Sequence, residues 1–300
     1  MKLLGNGNSG HYNQINKNYK VDTTMSTNNF YRKLIKPIRN PYIDDLINKV
    51  DASIYSPYDK ELTWEERTTP INLLKIKFLE WSKDWVSGLD QFSYVYVMNG
   101  NTDSLNIIFS KSDNGMAWQK GDYSYYNFWH TIQRKPYTEL VKPQSVSNLV
   151  VSWPGYSWGN NDQLEFALQC NAESMHLDCA YLGLVKPTSI DASIFDTASF
   201  SFSKSLAIPY NRISLLFSKK EIPSLVIMNK LGYVNLSGVK LATHLLQNIS
   251  PNYWWDTYSS KLNNLCLKHN LTKTDCILFA YNRDQRVSLA ECWKEYEAIL

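Results

Sequence analysis

Residues 201–213 read SFSKSLAIPYNRI, a stretch in which Lys204 stands among three serines and Arg212 follows eight residues later. An amine in a partly desolvated site loses proton affinity and becomes nucleophilic enough to form a Schiff base with an aldehyde. The hydroxyl of Ser201 and the planar fork of Arg212 are donor groups of the kind that bind phosphate. The stretch therefore fits an imine-forming lysine beside a phosphate, although a loop lysine is more often only a solvated charge.

A carboxylate lies in an apolar stretch upstream, where residues 175–184 read MHLDCAYLGL. Asp178 falls inside a predicted strand, and such a carboxylate is unfavourable unless a cation or hydrogen-bond donor meets it. Tyr181 lies near the strand end. A strand-end aspartate bonded to a backbone amide explains the pattern equally well. His176 shares the strand face without a second His or Cys at metal-ligand spacing, which favours a packed core histidine and no metal site.

A phosphate-type turn is indicated further upstream by residues 98–109, MNGNTDSLNIIF. Gly100, Asn101 and Thr102 stand between a predicted strand and a predicted helix, where backbone N–H groups and a hydroxyl favour an anion. A simple turn followed by a helix cap accounts for the same residues. Together, the three stretches supply what a protein needs to hold pyridoxal phosphate: a phosphate site, a partner for the ring nitrogen and an amine for the aldehyde.

The composition describes the chain that must position these groups. It has 300 residues, 44% hydrophobic and 20% charged, which is typical of a globular protein. The net charge of +3 is scattered, so a nucleic acid partner is disfavoured but not excluded. Five cysteines without a C-x-x-C pair indicate a reducing compartment. The absence of a signal peptide or membrane-length apolar run predicts a cytoplasmic protein without a membrane partner.

The order of elements predicts the fold class and the domains. In the middle of the chain short strands alternate with helices, which indicates a three-layer α/β/α domain with a mostly parallel sheet and ligand sites at the carboxyl ends of its strands. We predict an N-terminal leader or arm (1–45), a large cofactor-binding domain (46–235) and a small α+β C-terminal domain (236–300). Residues 70–89 predict one helix that ends at Gly88, with an apolar face formed by Leu73, Ile76, Leu79, Trp81 and Trp85.

SFSKSLAIPYNRI also resembles the cofactor-lysine signature of the fold-type I pyridoxal phosphate enzymes, in the aminotransferase class I/II superfamily that includes aspartate aminotransferase. The resemblance covers about residues 90–290 in the family's order, in a chain that is short for the family. It implies that Lys204 binds pyridoxal 5'-phosphate as a Schiff base and moves the proton. It also implies that Ser201 and Arg212 bind the phosphate.

Other segments resemble the family's remaining cofactor contacts. DCAY is similar to its D-x-A-Y motif, which implies that Asp178 partners the pyridine nitrogen and Tyr181 donates to the ring hydroxyl oxygen. NGNTDSLNIIF is similar to its G-x-T-x-x-L loop, which assigns Asn101 and Thr102 to the phosphate. GDYSYYNFW lies where the family keeps a stacking aromatic, and Tyr123 is assigned that place, with Tyr126 behind it.

The substrate side of the resemblance is less complete. RVS near the C-terminus resembles the family's R-[IV]-S segment, which assigns the substrate carboxylate to Arg286, with Arg283 as the near competitor. The family's N-P-x-x-P-T-G turn has an asparagine at the position of Trp153 here. The contact of that asparagine to the ring hydroxyl oxygen is therefore missing here unless Asn160 or Asn161 supplies it.

The resemblance implies an enzyme that acts on a small amino acid or amine through an external aldimine, primarily an aminotransferase and hence a transferase of amino acid metabolism. Decarboxylation, elimination and carbon–carbon bond formation use the same residues, and the substrate could also be linked to a carrier or nucleotide. A catalytically inactive module of the same fold is the alternative of another class. Family members are usually homodimers, in which Tyr55 or Tyr58 could reach the partner's phosphate site.

Overall fold

The computed structural model describes residues 35–50 and 62–297, without the side chains of 129–132 and 294–297. Its α-helices are α1 (Pro41–Asn48), α2 (Trp64–Ser82), α3 (Asn101–Lys111), α4 (Tyr125–Gln133), α5 (Asp162–Leu168), α6 (Phe202–Ser205), α7 (Pro223–Lys230), α8 (Leu236–Asn248), α9 (Tyr253–Lys268) and α10 (Ala290–Glu297). Its strands are β1 (Val86–Ser87), β2 (Tyr94–Met98), β3 (Met116–Gln119), β4 (Tyr137–Leu140), β5 (Ser145–Ser152), β6 (Asn171–Cys179), β7 (Ile190–Asp191), β8 (Thr197–Ser201), β9 (Ser214–Ser218), β10 (Phe279–Asn282) and β11 (Gln285–Ser288).

A seven-stranded sheet organises the described residues, with the strand order β2-β9-β8-β6-β5-β3-β4. Strand β9 runs antiparallel to both of its neighbours, whereas the other neighbouring pairs are parallel. Every residue of β8 and of β9 is buried, as expected for strands covered on both faces. The mostly parallel sheet of the predicted fold class is therefore present.

Helices cover both faces of this sheet. Alternate residues of one strand enter different cores: Leu149 and Val151 of β5 belong to the larger apolar cluster, and Val150 belongs to the smaller one. Helices α1, α2, α8 and α9 contribute to the larger cluster, and α3, α4 and α7 contribute to the smaller one. Because side chains alternate across a strand, the two clusters lie on opposite faces. The predicted three-layer α/β/α architecture is confirmed.

The bounds predicted for the helix at 70–89 are wrong at both ends. Helix α2 begins at Trp64, because Thr63 and Glu66 form a reciprocal capping box at its N-terminus. The helix ends at Ser82, and Gly88, which was expected to end it, has a φ of 73° and precedes a separate short 3-10 helix. Local capping therefore sets the start of this helix six residues before the apolar pattern begins.

The predicted apolar face of α2 is also partly wrong. Trp81 and Trp85 are buried, but the side chains of Leu73, Ile76 and Leu79 are 39%, 52% and 41% exposed. The residues that α2 buries in the larger cluster are Ile71, Leu74, Phe78 and Trp81. The helix carries apolar residues on more than one side, and its packing against α8 selects between them.

The ends of the predicted leader and of the chain contribute to the same core. Ile35, Ile38 and Ile43 are buried in the larger cluster, and α1 packs against α8. The antiparallel hairpin β10–β11 and α10 follow α9. Residues 1–34 of the leader lie outside the described residues, as do Tyr55 and Tyr58. The division into a leader, a large domain and a small domain stays a prediction.

Candidate functional site

A cleft lies at the carboxyl ends of strands β5, β6 and β8, beside the start of α3. The residues predicted to contact the cofactor all line it, namely Asn101, Thr102, Tyr123, Asp178, Tyr181, Ser201, Lys204 and Arg212. The other lining residues are Leu105, Ser152, Pro154, Tyr156, Ala180 and Ser203. The structure therefore brings the three sequence stretches together in one place.

Lys204 enters the cleft from α6, the single helical turn that follows β8. Its ammonium nitrogen lies 5.3 Å from the centre of the Tyr181 ring, within the range of a cation–π contact. Loss of hydration lowers the pKa of this amine below its ordinary value of 10.5, although the charge of Asp178 opposes the shift. The lysine is thus a partly desolvated amine, the state in which an amine becomes a nucleophile.

Asp178 is a buried carboxylate near the end of β6, and a donor holds each of its oxygens. Oδ1 accepts a hydrogen bond from the side-chain amide of Asn101. Oδ2 accepts one from the Tyr126 hydroxyl, over an oxygen–oxygen distance of 2.9 Å. Burial raises the pKa of Asp178 to about 6, and the nearby charge of Asp122 also raises it, while Tyr126, Lys204 and Asn101 lower it. The charged form is therefore opposed by desolvation and supported by several neighbours.

A second buried carboxylate, Asp122, was not predicted. It accepts hydrogen bonds from the Ser152 hydroxyl, from the Ser152 backbone N–H at 3.4 Å and from the Tyr123 backbone N–H at 2.7 Å. Burial raises its pKa to about 6. Because Tyr123 and Ser152 line the cleft, the hydrogen bonds to Asp122 hold two of the cleft residues in place. The sequence around it, GDYSYY, gave no signal beyond a turn aspartate.

A cluster of hydrogen-bond donors, here called the cradle, lies where α3 begins. Gly100 precedes the helix with a φ of 94°, and a β-carbon added there would lie 2.7 Å from Nη2 of Arg212. Nη2 of Arg212 donates to the Thr102 hydroxyl at 3.2 Å. The Ser201 hydroxyl caps α6 and accepts from the Ser203 N–H at 3.4 Å. The guanidinium, the hydroxyls and the helix N-terminus offer donors of the kind that phosphate accepts.

Aromatic rings form one wall of the cleft. The Tyr123 ring lies 5.1 Å from the Tyr156 ring and packs edge-on against Tyr126 at 5.5 Å. Tyr126 is fully buried and is not among the cleft-lining residues, so its ring lies behind that of Tyr123. Its hydrogen bond to Asp178 was not predicted. Tyr181 is buried at the cleft, and burial raises its pKa well above 10.

Arg286 lies beside the cleft and does not line it. On strand β11, it stacks with its guanidinium carbon 3.4 Å from the centre of the Tyr156 ring, and Nη1 donates to the Tyr156 carbonyl oxygen at 2.7 Å. Its charge lowers the pKa of Asp122, Tyr181 and Lys204, so it contributes to the electrostatics of the site. The competitor Arg283 is exposed in the turn between β10 and β11. The assignment of Arg286 to a substrate carboxylate stays a prediction.

The two asparagines near Trp153 make hydrogen bonds within their own segment. The indole of Trp153 is buried, and its Nε1 donates to Oδ1 of Asn161 at 2.9 Å. The Oδ1 atom of Asn160 accepts from the N–H of Asp162 at 3.3 Å. Neither asparagine is among the residues that line the cleft. Of the ring-oxygen donors that the sequence suggested, Tyr181 is therefore the one in the cleft.

Solved structures share this architecture, whereas no protein-family model and no curated protein sequence matches the chain. Apo BacF from Bacillus subtilis matches with a TM-score of 0.63 at 12% identity, over 99% of this chain and 97% of that one. An aminotransferase from Staphylococcus aureus matches with a TM-score of 0.59 at 11% identity, over 89% and 91% of the two chains.

A third similar structure is the pyridoxal phosphate-bound C–S lyase from Staphylococcus hominis, with a TM-score of 0.54 at 12% identity, over 88% of this chain and 80% of that one. The chain therefore has the fold that these structures share, which is the fold that the sequence resemblance predicted. At these identities the likeness shows the fold and does not identify a substrate.

Proposed function

We propose that the protein is a pyridoxal phosphate-dependent enzyme that acts on an amino acid or amine, primarily as an aminotransferase. One observation carries the proposal. Lys204, Asp178 and the cradle of Gly100, Thr102 and Arg212 line or border one cleft in a chain with the aminotransferase-like fold.

The residues present fit this cofactor at both of its ends. The cradle has donors for a phosphate and no room for a β-carbon at Gly100. At the other end, the hydrogen bonds to the buried Asp178 carboxylate come from the neutral side chains of Asn101 and Tyr126. A protonated ring nitrogen would give that carboxylate a directly bonded cationic partner. When bound, the cofactor supplies an electron-withdrawing ring that accepts electrons from a breaking bond of the substrate.

The protein's own groups then have definable roles. Lys204, with its lowered pKa, is the amine to which the aldehyde attaches and the base that moves a proton at the substrate carbon. Tyr181 would donate to the ring hydroxyl oxygen, Tyr123 would face the ring, and Ser201 and Arg212 would hold the phosphate. Arg286 binds the substrate carboxylate. Bond choice depends on how these groups orient the substrate over the ring.

The fold alone does not decide the reaction. Aminotransferases and a C–S lyase are both among the structures similar to this chain. Decarboxylation and carbon–carbon bond formation remain alternatives within the same cleft, and a carrier- or nucleotide-linked substrate remains an alternative to a free amino acid. We favour an enzyme over an inactive module, because a desolvated lysine and a buried carboxylate are unfavourable for stability when they have no function.

Partners and location belong to the proposal as well. We propose a homodimer, which the exposed apolar side chains of Leu73, Ile76 and Leu79 on α2 support, because exposed apolar surface favours burial against a partner. Within the described part of the chain, no helix combines the length and the apolar character needed to cross a membrane. A cytoplasmic location is proposed from the sequence, in which the cysteine pattern favours a reducing compartment.

Reductive trapping tests the core of the proposal. The purified protein is mixed with pyridoxal phosphate, reduced with borohydride, digested and analysed by mass spectrometry. We expect the reduced adduct on the peptide that contains Lys204. It should disappear in Lys204→Ala and persist in Lys220→Ala, a variant of an exposed lysine. An adduct spread evenly over surface lysines, or no adduct, would refute the proposal.

Product analysis then distinguishes the reaction types. The loaded protein is given a panel of amino acids with a 2-oxo acid as amino acceptor. An aminotransferase converts the amino acid into its 2-oxo acid and aminates the acceptor. A lyase instead releases ammonia without an acceptor, and a decarboxylase releases carbon dioxide. Acceptor-dependent formation of the 2-oxo acid is the expected result.

A further inference from the structure

The Asp178 carboxylate is held from two separate elements. Asn101 is the first residue of α3, and Tyr126 lies in the first turn of α4. Their side chains reach different oxygens of the carboxylate, Oδ1 and Oδ2. Both hydrogen bonds join residues far apart in sequence, at separations of 77 and 52. The fold therefore determines the orientation of this carboxylate as well as its burial.

Tyr126 has the properties of a rigid donor. Its ring is fully buried and lies 5.8 Å from Phe109, 5.7 Å from Trp118 and 5.5 Å from Tyr123. A ring clamped by three aromatic neighbours cannot turn its hydroxyl away from Asp178 without disturbing the core. Because Tyr126 does not line the cleft, its hydroxyl acts on a bound molecule only through Asp178.

Asn101 serves the carboxylate with its side chain. The resemblance assigned it to the phosphate, but its amide nitrogen donates to Asp178 while its backbone lies at the α3 N-terminus beside the cradle. Its amide oxygen is buried without a hydrogen-bond partner in the described structure. The side-chain amide of Asn101 therefore donates to Asp178 while its own oxygen accepts no hydrogen bond. We infer that the carboxylate determines the orientation of this amide.

The surroundings of Asp178 disfavour its charged form, so the two donors are needed to stabilise that form. Burial and the charge of Asp122 raise the pKa of Asp178, while the hydrogen bonds from Tyr126 and Asn101 lower it. Lys204 also lowers it, but its amine is itself desolvated. Removal of one neutral donor therefore favours the protonated carboxyl, which is a poorer partner for a ring cation.

We propose that Tyr126, assisted by Asn101, is a positioning residue that keeps the Asp178 carboxylate charged and aimed at the ring nitrogen of bound pyridoxal phosphate. The inference rests on the proposed function and adds a role that the sequence motifs did not assign. It concerns one atom of the ligand, so a ligand without that atom should be insensitive to Tyr126.

The test compares two ligands and three forms of the protein. The equilibrium affinities of wild type, Tyr126→Phe and Tyr125→Phe are measured for pyridoxal phosphate and for its deaza analogue, in which CH replaces the ring nitrogen. Tyr126→Phe keeps the buried ring and removes only the hydroxyl. We expect it to weaken pyridoxal phosphate binding about tenfold, typical of a hydrogen bond to a charged group, and to change the affinity for the analogue less than about twofold.

Tyr125→Phe is the matched control. The Tyr125 hydroxyl donates to Asn106 at 3.2 Å, and Asp178 is not among the groups that shift the pKa of Tyr125. We expect this variant to leave the ratio of the two affinities at the wild-type value. Circular dichroism verifies that both variants fold.

The outcomes are distinguishable. An equal loss of affinity for both ligands in Tyr126→Phe would mean that the hydroxyl supports only the shape of the cleft, and would overturn the inference. Unchanged affinities for both ligands would overturn it too. If the wild-type protein binds neither ligand, the proposed function itself fails.

Discussion

Asp178 opposes folding when it is charged. Its pKa is raised by burial from an ordinary value of 3.8 to about 6, so the folded state binds the proton more tightly than the unfolded state. As the pH rises from about 4 to about 6, the unfolded chain releases this proton first, and the free energy of unfolding decreases. Above that window the loss is complete and constant. A folded protein with an empty cleft therefore retains this carboxylate at a cost in stability.

Asp178→Asn should reveal that cost. Asparagine has nearly the same shape and can still accept from Asn101 and donate to the Tyr126 oxygen. In the absence of cofactor, we expect the stability of the variant relative to wild type to rise by about 2 kcal/mol between about pH 4.5 and about pH 7.5. Urea unfolding at the two pH values measures this difference. A relative stability that does not change with pH would contradict the assignment of the titration to Asp178.

Sequence motifs identified which residues line the cleft, but they did not identify the hydrogen bonds that those residues make. The spacing around Lys204 and Asp178 selected residues that line one cleft, because motif positions follow strand ends that meet at one edge of the sheet. The bonds from Tyr126 to Asp178 and from Ser152 to Asp122 could not be predicted in this way. They join residues 52 and 30 positions apart on different elements, and only the packed fold brings those side chains together.

Among the elements, those with a strong local signal were predicted, whereas others depend on pairing and packing. The turn at Gly100 and the helix after it were predicted from the residues themselves. The strands β3, β4 and β8 have only four or five residues, and their pairing with neighbouring strands defines them more than their own sequence does. The apolar face of α2 was misjudged for the same reason, since packing against α8 decides which side is buried.

The turn before α3 allows a prediction about the cradle. Gly100→Ala places a β-carbon 2.7 Å from the Arg212 guanidinium at a φ of 94°. Gly121→Ala is the matched control, because its φ is 88° and a β-carbon there meets nothing within 4 Å. We expect both variants to lose at least about 1 kcal/mol of stability from the positive φ. Gly100→Ala should lose more, because the ψ of 159° at Gly100 belongs to a region that is essentially restricted to glycine.

Only Gly100→Ala should affect phosphate recognition, because only its new methyl group displaces Arg212. The readout is the ratio of affinities for pyridoxal phosphate and for pyridoxal, which lacks the phosphate. We expect this ratio to fall at least fivefold in Gly100→Ala, about 1 kcal/mol, and to stay at the wild-type value in Gly121→Ala. A similar loss in both variants would show that backbone strain, rather than the cradle, determines the affinity.

At the scale of the whole molecule, one apolar cluster runs through the described residues from Ile35 to Trp293. It crosses the boundary predicted at residues 235 and 236. The indole of Trp254, on α9, donates to the carbonyl oxygen of Ser205, next to Lys204, at 2.6 Å. The fold class was predictable because strands that alternate with helices along a chain indicate a layered α/β architecture. The contacts across the predicted boundary were not predictable, because they join residues far apart in sequence.

We therefore expect the protein to unfold in a single transition even though its C-terminal part has its own helices and hairpin. Far-ultraviolet circular dichroism and tryptophan fluorescence should give coincident urea midpoints. Trp254→Phe leaves the Ser205 carbonyl without its donor. We expect it to lower the free energy of unfolding by about 1–3 kcal/mol and to lower both urea midpoints together. Trp64→Phe, at a site that is 54% exposed, should change neither midpoint measurably. An early transition that is sensitive to Trp254 alone, followed by an unchanged late one, would instead show two independently folding units.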